Sequence, residues 1–377
     1  MKFGKQFSLL AAVALVTAFV PAFSAQAQDK SGCTLSADDC KLIATAETNV
    51  AKENVFYQDF ELTTSTSVGS QQTGLSVTGK GPLSHDVTST DFLNAYQLQL
   101  DLTGSRKGSA NDTTGNIGLV LTGGALYFKT DVIPWTGLKI ADMMSMLGSG
   151  ATGAGGTGGA GLMGGMGAMT GGLDPTQILG LLGFSNTFAA IVADPNSKDF
   201  LKQEKTSNTP TLEDQKMSEF LYTIDLKKVQ SADVLGLVKT LVSLGGGVAG
   251  GSVSSMSDDQ FQAFLASTSP DSSLTVTRWV GQTDNEYHAL GLDLKMGFTP
   301  QAGANGGAAL SLNTHFLIKL TKVGQAVTIN PPAGAKIVDL QALLGAFGGM
   351  MGGAGGGITA PGGPTAPKAT IAATVAK

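Results

Sequence analysis

The sequence predicts an α+β protein in which an antiparallel sheet packs against several short helices. Segments of alternating polar and apolar residues follow one another with short turns, which is typical of an antiparallel meander with one apolar face. Helical periodicity occurs before the first of these segments, in the middle of the chain and near its end. The 377 residues suffice for one large domain or two small ones.

The N-terminal residues 1–27 have the pattern of a cleaved signal peptide. Lys2 and Lys5 precede a long apolar run, and Ala25 and Ala27 form an A-x-A cleavage pattern. We therefore expect the mature protein to begin near residue 28 and to work outside the cytoplasm, in the periplasm or secreted.

The two cysteines of the chain, Cys33 and Cys40, lie close together after this segment. In an oxidising compartment their spacing favours a short-loop disulfide. Two cysteines without a nearby histidine are too few for a metal site. The polar residues before Cys33 are unlike a lipobox, so we do not expect a lipid anchor there.

The first half of the mature chain predicts one helix and then a meander. Ser36 is the expected helix N-cap and Asp39 occupies the capping-box position. Apolar residues then recur at helical spacing up to Val50. Strands are expected over residues 55–66, 74–83 and 94–105, followed by a hairpin over 116–134 that turns at Gly123 and Gly124.

The second half alternates helices with strands. Ser257 and Gln260 form a capping box before a short helix. The expected helices cover residues 137–147, 174–184, 232–244, 257–267 and 336–347, and the expected strands cover 217–228, two segments within 275–298, 308–323 and a short piece at 326–332.

Glycine-rich segments interrupt this pattern near residues 148–172 and 245–256 and again in the tail, 348–377. We expect a single domain over residues 28–347 with these segments as insertions and a flexible tail. Met143 and Met144 precede the first insertion and are expected on a helix face that packs against something apolar, because methionine adapts to irregular apolar shapes.

Composition and motifs argue against several classes of function. The formal net charge of −5 is unfavourable for a nucleic-acid partner. The segment 74–81 is close to a phosphate-binding loop, but glycine and proline follow Lys80 where that loop needs Ser or Thr and a helix. His85, His288 and His315 have no metal-ligand spacing. We therefore expect no metal, no cofactor and no enzymatic activity.

The segment 275–298 predicts a hairpin rather than a site. Its charges fall mostly in the turn, where solvated residues belong. Val276, Leu290 and Leu292 share one parity, whereas Trp279 has the other, so that either a bulge turns it inward or it covers the opposite side of the sheet. Arg278 shares the apolar parity, which indicates a register shift near the turn.

Four segments resemble the LolA-like superfamily of bacterial extracytoplasmic lipid and lipoprotein carriers, and most closely the LppX/LprG type of lipoprotein. They are similar to that family's first helix and strand, its central strand-then-helix step, its Trp-containing hairpin, and its closing strand with an I-x-x-P ending. These segments cover residues 41–65, 217–238, 276–294 and 316–335. The resemblance implies a strongly curved half-barrel sheet that wraps several short helices and encloses a hydrophobic cavity for acyl chains.

On this basis the expected function is non-covalent binding or transport of a lipid, a lipoprotein or another apolar ligand, with a membrane surface or an envelope protein as a further partner. The alternative is a structural or interaction protein of the cell envelope with a filled core. Each candidate cavity residue can equally belong to plain core. The candidates are Phe60, Leu62, Leu98, Leu100, Met143, Met144, Trp279, Leu290, Leu292, Phe316 and Ile318.

Overall fold

A computed structural model describes most of the chain between Gly32 and Asp339. The described residues are 32–50, 52–85, 96–108, 113–131, 133–142, 188, 191–192, 195–229, 232–245, 253, 256–298 and 310–339. Up to Ile337 the chain belongs to one compact unit. The expected signal peptide, the insertion near 148–172, the helix over 174–184 and the tail lie outside the described residues, as do Met143 and Met144.

The strands form one large sheet that is curved and does not close on itself. The first six strands run in order along one half of it as an antiparallel meander. They are β1 (Val55–Val68), β2 (Gln71–His85), β3 (Tyr96–Lys107), β4 (Thr113–Thr122), β5 (Ala125–Thr130) and β6 (Thr136–Lys139).

The other half of the sheet is built mostly from the C-terminal strands. They are β7 (Leu201–Lys205), β8 (Thr211–Leu212), β9 (Gln215–Ile224), β10 (Ser273–Gly281), β11 (Tyr287–Phe298) and β12 (Leu310–Thr321). The last strand, β13 (Lys336–Ile337), lies in the first half, beside β6. The strand order is β13-β6-β5-β4-β3-β2-β1-β12-β11-β10-β9-β7, and β8 pairs with β9. The predicted α+β class with a curved sheet is confirmed.

The two halves meet where β1 pairs antiparallel with β12, from Tyr57 opposite Thr321 to Val68 opposite Leu310. The first and last long strands therefore lie side by side in the middle of the sheet. The short pair β13 and β6 is parallel, which makes the sheet mixed rather than purely antiparallel. The pairing of β1 with β12 joins residues far apart in sequence and holds the two halves of the sheet together.

Three α-helices lie wholly within the described residues: α1 (Ala37–Val50), α2 (Ala232–Gly245) and α3 (Asp258–Ala266), with a 3-10 turn at Pro195–Asp199. The Ser36 hydroxyl accepts a hydrogen bond from the backbone N–H of Asp39, as the sequence predicted. Ser257 and Gln260 form the predicted capping box. Among these helices none combines the length and apolar character that a membrane crossing requires. Cys33 and Cys40 are joined by a disulfide ahead of α1, with Cα atoms 6.0 Å apart.

The helices pack on one face of the sheet, which we call the inner face. α1 packs on β10 and β11, α2 on β1 and β12, and α3 on α2. The Phe264 ring of α3 also meets the Phe298 ring at the end of β11, with centroids 4.7 Å apart. Burial of one apolar stripe of each helix against this face supplies the main driving force for the arrangement.

The opposite, outer face is covered at one end by the chain that follows β12. Gly324 N–H donates to the Val55 carbonyl, and Ile329 is buried farther along against Val120 and Tyr127. The Thr122 hydroxyl donates to the Ile329 carbonyl over 3.1 Å. The predicted strand over 326–332 is wrong, because this segment crosses the outer face and its hydrogen bonds go to turns and side chains rather than to a ladder.

Two further predictions are corrected by strand pairing. The helix predicted to begin at residue 137 starts only at 140, because Thr136–Lys139 is β6 and pairs with β5. The helix predicted to begin at 336 does not begin there, because Lys336–Ile337 pairs with β6 as β13. In both segments tertiary pairing overrides a local helical pattern. The residues beyond Asp339 that completed the second pattern lie outside the described part of the chain.

Candidate ligand-binding face of the sheet

The inner face is a continuous apolar surface over the middle strands. Cross-strand partners in an antiparallel sheet point to the same side, so the register groups these residues into rows. Phe60 lies opposite Ile318, which lies opposite Leu290. The next row joins Leu62, Phe316 and Leu292. All six side chains are buried.

The same face continues through β2 and β3. Leu98 and Leu100 are fully buried on β3. The ring of Phe60 lies over Gly79 of β2, where a Cβ atom would fall only 2.3 Å from the ring. Leu102 contacts the same glycine from the other side. Gly79 therefore allows a large aromatic side chain to cover two strands of the inner face.

One candidate residue does not join this surface. Trp279 lies on the outer face, since it pairs with Ala289 and Glu219 while Arg278, its neighbour, pairs with Leu290. Its indole N–H donates to Glu219 over 2.8 Å, and its ring covers Gly291. The expectation that Trp279 lines the inner surface is therefore wrong. Met143 and Met144 lie outside the described residues.

The segment 275–298 is the predicted hairpin, formed by β10 and β11. The predicted register shift occurs between Trp279 and Val280. Arg278 comes before the shift and lies opposite Leu290, so its side chain points to the inner face like those of its apolar neighbours. The inference that Arg278 marks the shift is corrected accordingly.

Arg278 is buried in a cage of acidic and aromatic groups beneath α1. Its Nη1 donates to Glu47 of α1 over 2.9 Å and to the Tyr287 hydroxyl over 3.0 Å. The guanidinium lies 4.8 Å from the Phe188 ring centroid and 5.4 Å from those of Tyr222 and Tyr287. Cation–π contacts and a carboxylate together compensate the desolvation of the charge.

The electrostatics of this cage follow from burial and close partners. Burial alone would lower the pKa of Arg278, but the Tyr287 and Tyr222 hydroxyls and the Glu47 carboxylate outweigh it and raise that pKa. Burial raises the pKa of Tyr287 well above its ordinary value, against the opposing charge of Arg278. The cage therefore holds a permanent cation beside two phenols whose pKa values burial raises.

The turn between β10 and β11 gathers Asp284, Glu286 and His288, whose ligand atoms lie within 4.8 Å of one another. Nε2 of His288 lies 2.9 Å from the Asp284 carboxylate, and the Gln215 amide donates to the same carboxylate over 2.7 Å. Gln215 in turn accepts from the backbone N–H of Thr283. We assign these contacts to the structure of the turn, whose carboxylate is already hydrogen-bonded.

These partners shift the two carboxyl groups of the turn in opposite directions. Burial would raise the pKa of Asp284, but hydrogen bonds with Gln215, His288 and the backbone N–H of Glu286 outweigh it and lower that pKa. Burial, with the charges of Asp284 and Glu53, raises the pKa of Glu286. Asp284 therefore remains ionised in the folded protein and supports the turn as an acceptor.

Two polar residues of the inner face were not among the candidates from the sequence. Gln58 is fully buried, and neither its Oε1 nor its Nε2 has a hydrogen-bond partner in the described part of the chain. The Thr314 hydroxyl is also buried and lacks one there. The parity of Gln58 with Phe56 and Phe60 was the signal in the sequence that placed it on this face.

The outer face of β1, β2, β3 and β12 is mostly polar, and its side chains are half-buried or exposed. Asp59 of β1 lies between Lys80 of β2 and Lys319 of β12, and Lys80 lies opposite Asp101 of β3. Opposite charges across neighbouring strands favour this register. The sheet thus separates an apolar inner face from a solvated outer one.

Comparison with protein-family models and with curated proteins finds no match. Among solved structures the chain is similar to LprF from Mycobacterium bovis, at 12% identity over 79% of this chain and 99% of that one, with a TM-score of 0.35. It is also similar to the lipoprotein LppX of Mycobacterium tuberculosis, at 10% identity over 78% of this chain and 100% of that one, with a TM-score of 0.28.

A third similar structure is lipovitellin, at 7% identity over 74% of this chain and 26% of that one, with a TM-score of 0.29. The chain therefore spans about a quarter of the lipovitellin chain. Of these three structures, LppX is the one whose name also appears in the lipoprotein type that the sequence resembles.

Proposed function

We propose that the protein binds a lipid or another molecule with an acyl chain, non-covalently, against the inner face of its sheet. The observation that carries this proposal is the set of apolar rows that runs from β3 through β1 and β12 to β11, on the face against which the described helices pack. Each methylene of a chain transferred there from water contributes about 0.8 kcal/mol.

We further propose a location and a partner for this binding. The protein acts outside the cytoplasm after cleavage near Ala27 and exchanges its ligand with a membrane surface or an envelope protein. It is a carrier and not an enzyme. This is supported by the polar clusters of the described residues, in which Arg278 and Asp284 are engaged in structural contacts.

The first test asks whether lipid is present. The chain from residue 28 onward is purified without detergent, extracted with organic solvent and measured by mass spectrometry against the unextracted protein. The delipidated protein is then offered a pyrene-labelled acyl ester in phosphatidylcholine vesicles. We expect co-purified lipid and saturable uptake of the probe. A protein that carries no lipid and takes up none has a filled core, and the envelope structural role then replaces the carrier.

The second test localises the ligand with a matched pair of variants on β12. Ile318→Trp adds volume to the inner face, whereas Leu317→Trp adds the same ring to the outer face one residue away. Displacing two methylenes of the ligand corresponds to about tenfold weaker uptake. We expect this loss for Ile318→Trp and none for Leu317→Trp. Circular dichroism and the urea midpoint of each variant separate loss of binding from loss of fold.

A further inference from the structure

Gln58 is an exception on the inner face. It lies on β1 between Phe56 and Phe60, is fully buried, and has neither amide atom hydrogen-bonded within the described residues. Buried side-chain polar groups almost always have a partner, because an unpaired one forfeits the hydrogen bonds it made in water. A buried primary amide with none therefore requires a specific explanation.

The neighbours of Gln58 in the sheet cannot supply a side-chain partner. Across the strands it lies opposite Leu320 of β12 and Gly81 of β2. The first is apolar and the second has no side chain. Arg278, another buried polar residue of this face with a large side chain, donates hydrogen bonds to Glu47 and Tyr287. The fold thus provides partners for one inward polar residue and not for the other.

The inward side chains around Gln58 indicate whether its missing partner is charged or neutral. The inward-facing side chains described on β1 and β12, and between Val77 and Leu83 of β2, include no ionisable group. An anion or cation buried beside Gln58 would have no counter-charge there, and burial of an unpaired charge is strongly unfavourable. A neutral carbonyl can accept from the Gln58 amide N–H without this penalty.

We propose that Gln58 is a specificity-determining residue whose amide hydrogen-bonds an uncharged ester or amide carbonyl of the bound apolar ligand. This inference rests on the proposed function and specifies its ligand class. The acyl chain of such a ligand extends along β1 and β12, over the rows of Phe60 and Leu62. Thr314 lies at the far end, opposite Thr64 and about 20 Å from the position of Gln58 at 3.3 Å per residue.

The experiment compares three competitors of equal chain length for displacement of the pyrene-labelled ester: a methyl ester, an alkane and a free fatty acid at pH 7.5. Wild-type protein is expected to prefer the methyl ester over the alkane by about tenfold, the effect of one well-formed hydrogen bond. The fatty acid, ionised at this pH, is expected to bind more weakly than its ester. A preference for the fatty acid would overturn the assignment of an uncharged group.

Gln58→Met keeps the length of the side chain and removes its amide. We expect its ester-over-alkane ratio to fall to about one while its affinity for the alkane is unchanged, because only the hydrogen bond is lost. Its urea midpoint should equal or exceed that of the wild type, since an unpaired amide has been removed. An unchanged ester preference, or a parallel loss of alkane binding and stability, contradicts the role proposed for Gln58.

Two control variants sharpen the comparison. Gln99→Met makes the same change on the exposed outer face of β3. Gln72→Met makes it on the exposed outer face of β2. Both are expected to keep the ester preference. Failure of the wild-type protein to bind any of the three competitors rejects the proposed function itself, whereas equal binding of ester and alkane by the wild type rejects only this inference.

Discussion

The strongest quantitative prediction concerns the ion pair between Glu47 and Arg278. Arg278 is 8% exposed and its Nη1 lies 2.9 Å from Glu47 Oε1. Removal of one partner from a buried pair costs about 3–5 kcal/mol, because the remaining charge stays desolvated. We expect Glu47→Ala to lower the free energy of unfolding by about 3 kcal/mol, the low end of that range, since the Tyr287 hydroxyl and the aromatic rings still contact the guanidinium.

Replacement of both partners by apolar residues should change the free energy of unfolding much less than removal of one. Glu47→Leu combined with Arg278→Met removes two desolvated charges and leaves apolar side chains beneath α1. The double variant is expected within about 1 kcal/mol of the wild type, although each single change is costly. Such non-additivity distinguishes a buried pair from two independent packing contributions.

The assay is urea unfolding followed by circular dichroism, with the free energy extrapolated to water at constant m-value. Lys41→Ala, on the exposed side of the same helix, is the control and should change stability by less than about 0.5 kcal/mol. A cost below about 1 kcal/mol for Glu47→Ala would refute the reasoning, because it would place the pair among surface ion pairs.

Four further predictions follow from other elements. Gly79→Ala places a Cβ 2.3 Å from the Phe60 ring and should destabilise by about 1–3 kcal/mol. Gly236→Ala, which meets nothing within 4 Å in α2, should instead stabilise by about 0.4–1 kcal/mol in the same urea assay. Ser257→Ala removes the capping box of α3 and should cost about 1 kcal/mol by thermal or urea unfolding. The pKa of Asp284 is lowered in the folded protein, so the stability that this carboxylate contributes is complete above the ordinary pKa of 3.8 and is lost as the pH falls through the folded-state pKa. The variant Asp284→Asn should therefore lose less stability than the wild type below about pH 4. Identical acid-unfolding profiles of the two proteins would contradict this.

Local patterns in the sequence determined most of the secondary structure. Strict alternation predicts strands wherever one face is buried and the other solvated, as in the stretch around Leu98 and Leu100. Capping signals at Ser36 and Ser257 located two helix starts correctly because a hydroxyl acts on backbone groups only three residues away. The glycine pair at 123 and 124 marked the β4–β5 turn for a similarly local reason.

Tertiary structure decided the features that depend on distant partners. The helical patterns that begin at residues 137 and 336 gave way to strands because each segment lies beside another strand at the edge of the sheet. Trp279 had two possible sides by parity, and only its contacts with Glu219 and Gly291 selected the outer face. Parity also placed Gln58 on an apolar face. Its lack of a side-chain partner, however, depends on the residues opposite it, which are Leu320 of β12 and Gly81 of β2.

The sequence by itself therefore determined an α+β chain with an amphipathic meander and short capped helices. Only the tertiary structure decided that β1 and β12 close the two halves into one curved sheet, and that Arg278 and Gln58 both point inward with such different surroundings. The physical reason is the distance in sequence over which each interaction acts. Capping and alternation act within a few residues, whereas burial, charge pairing and the satisfaction of polar groups depend on which distant residues the fold brings into contact.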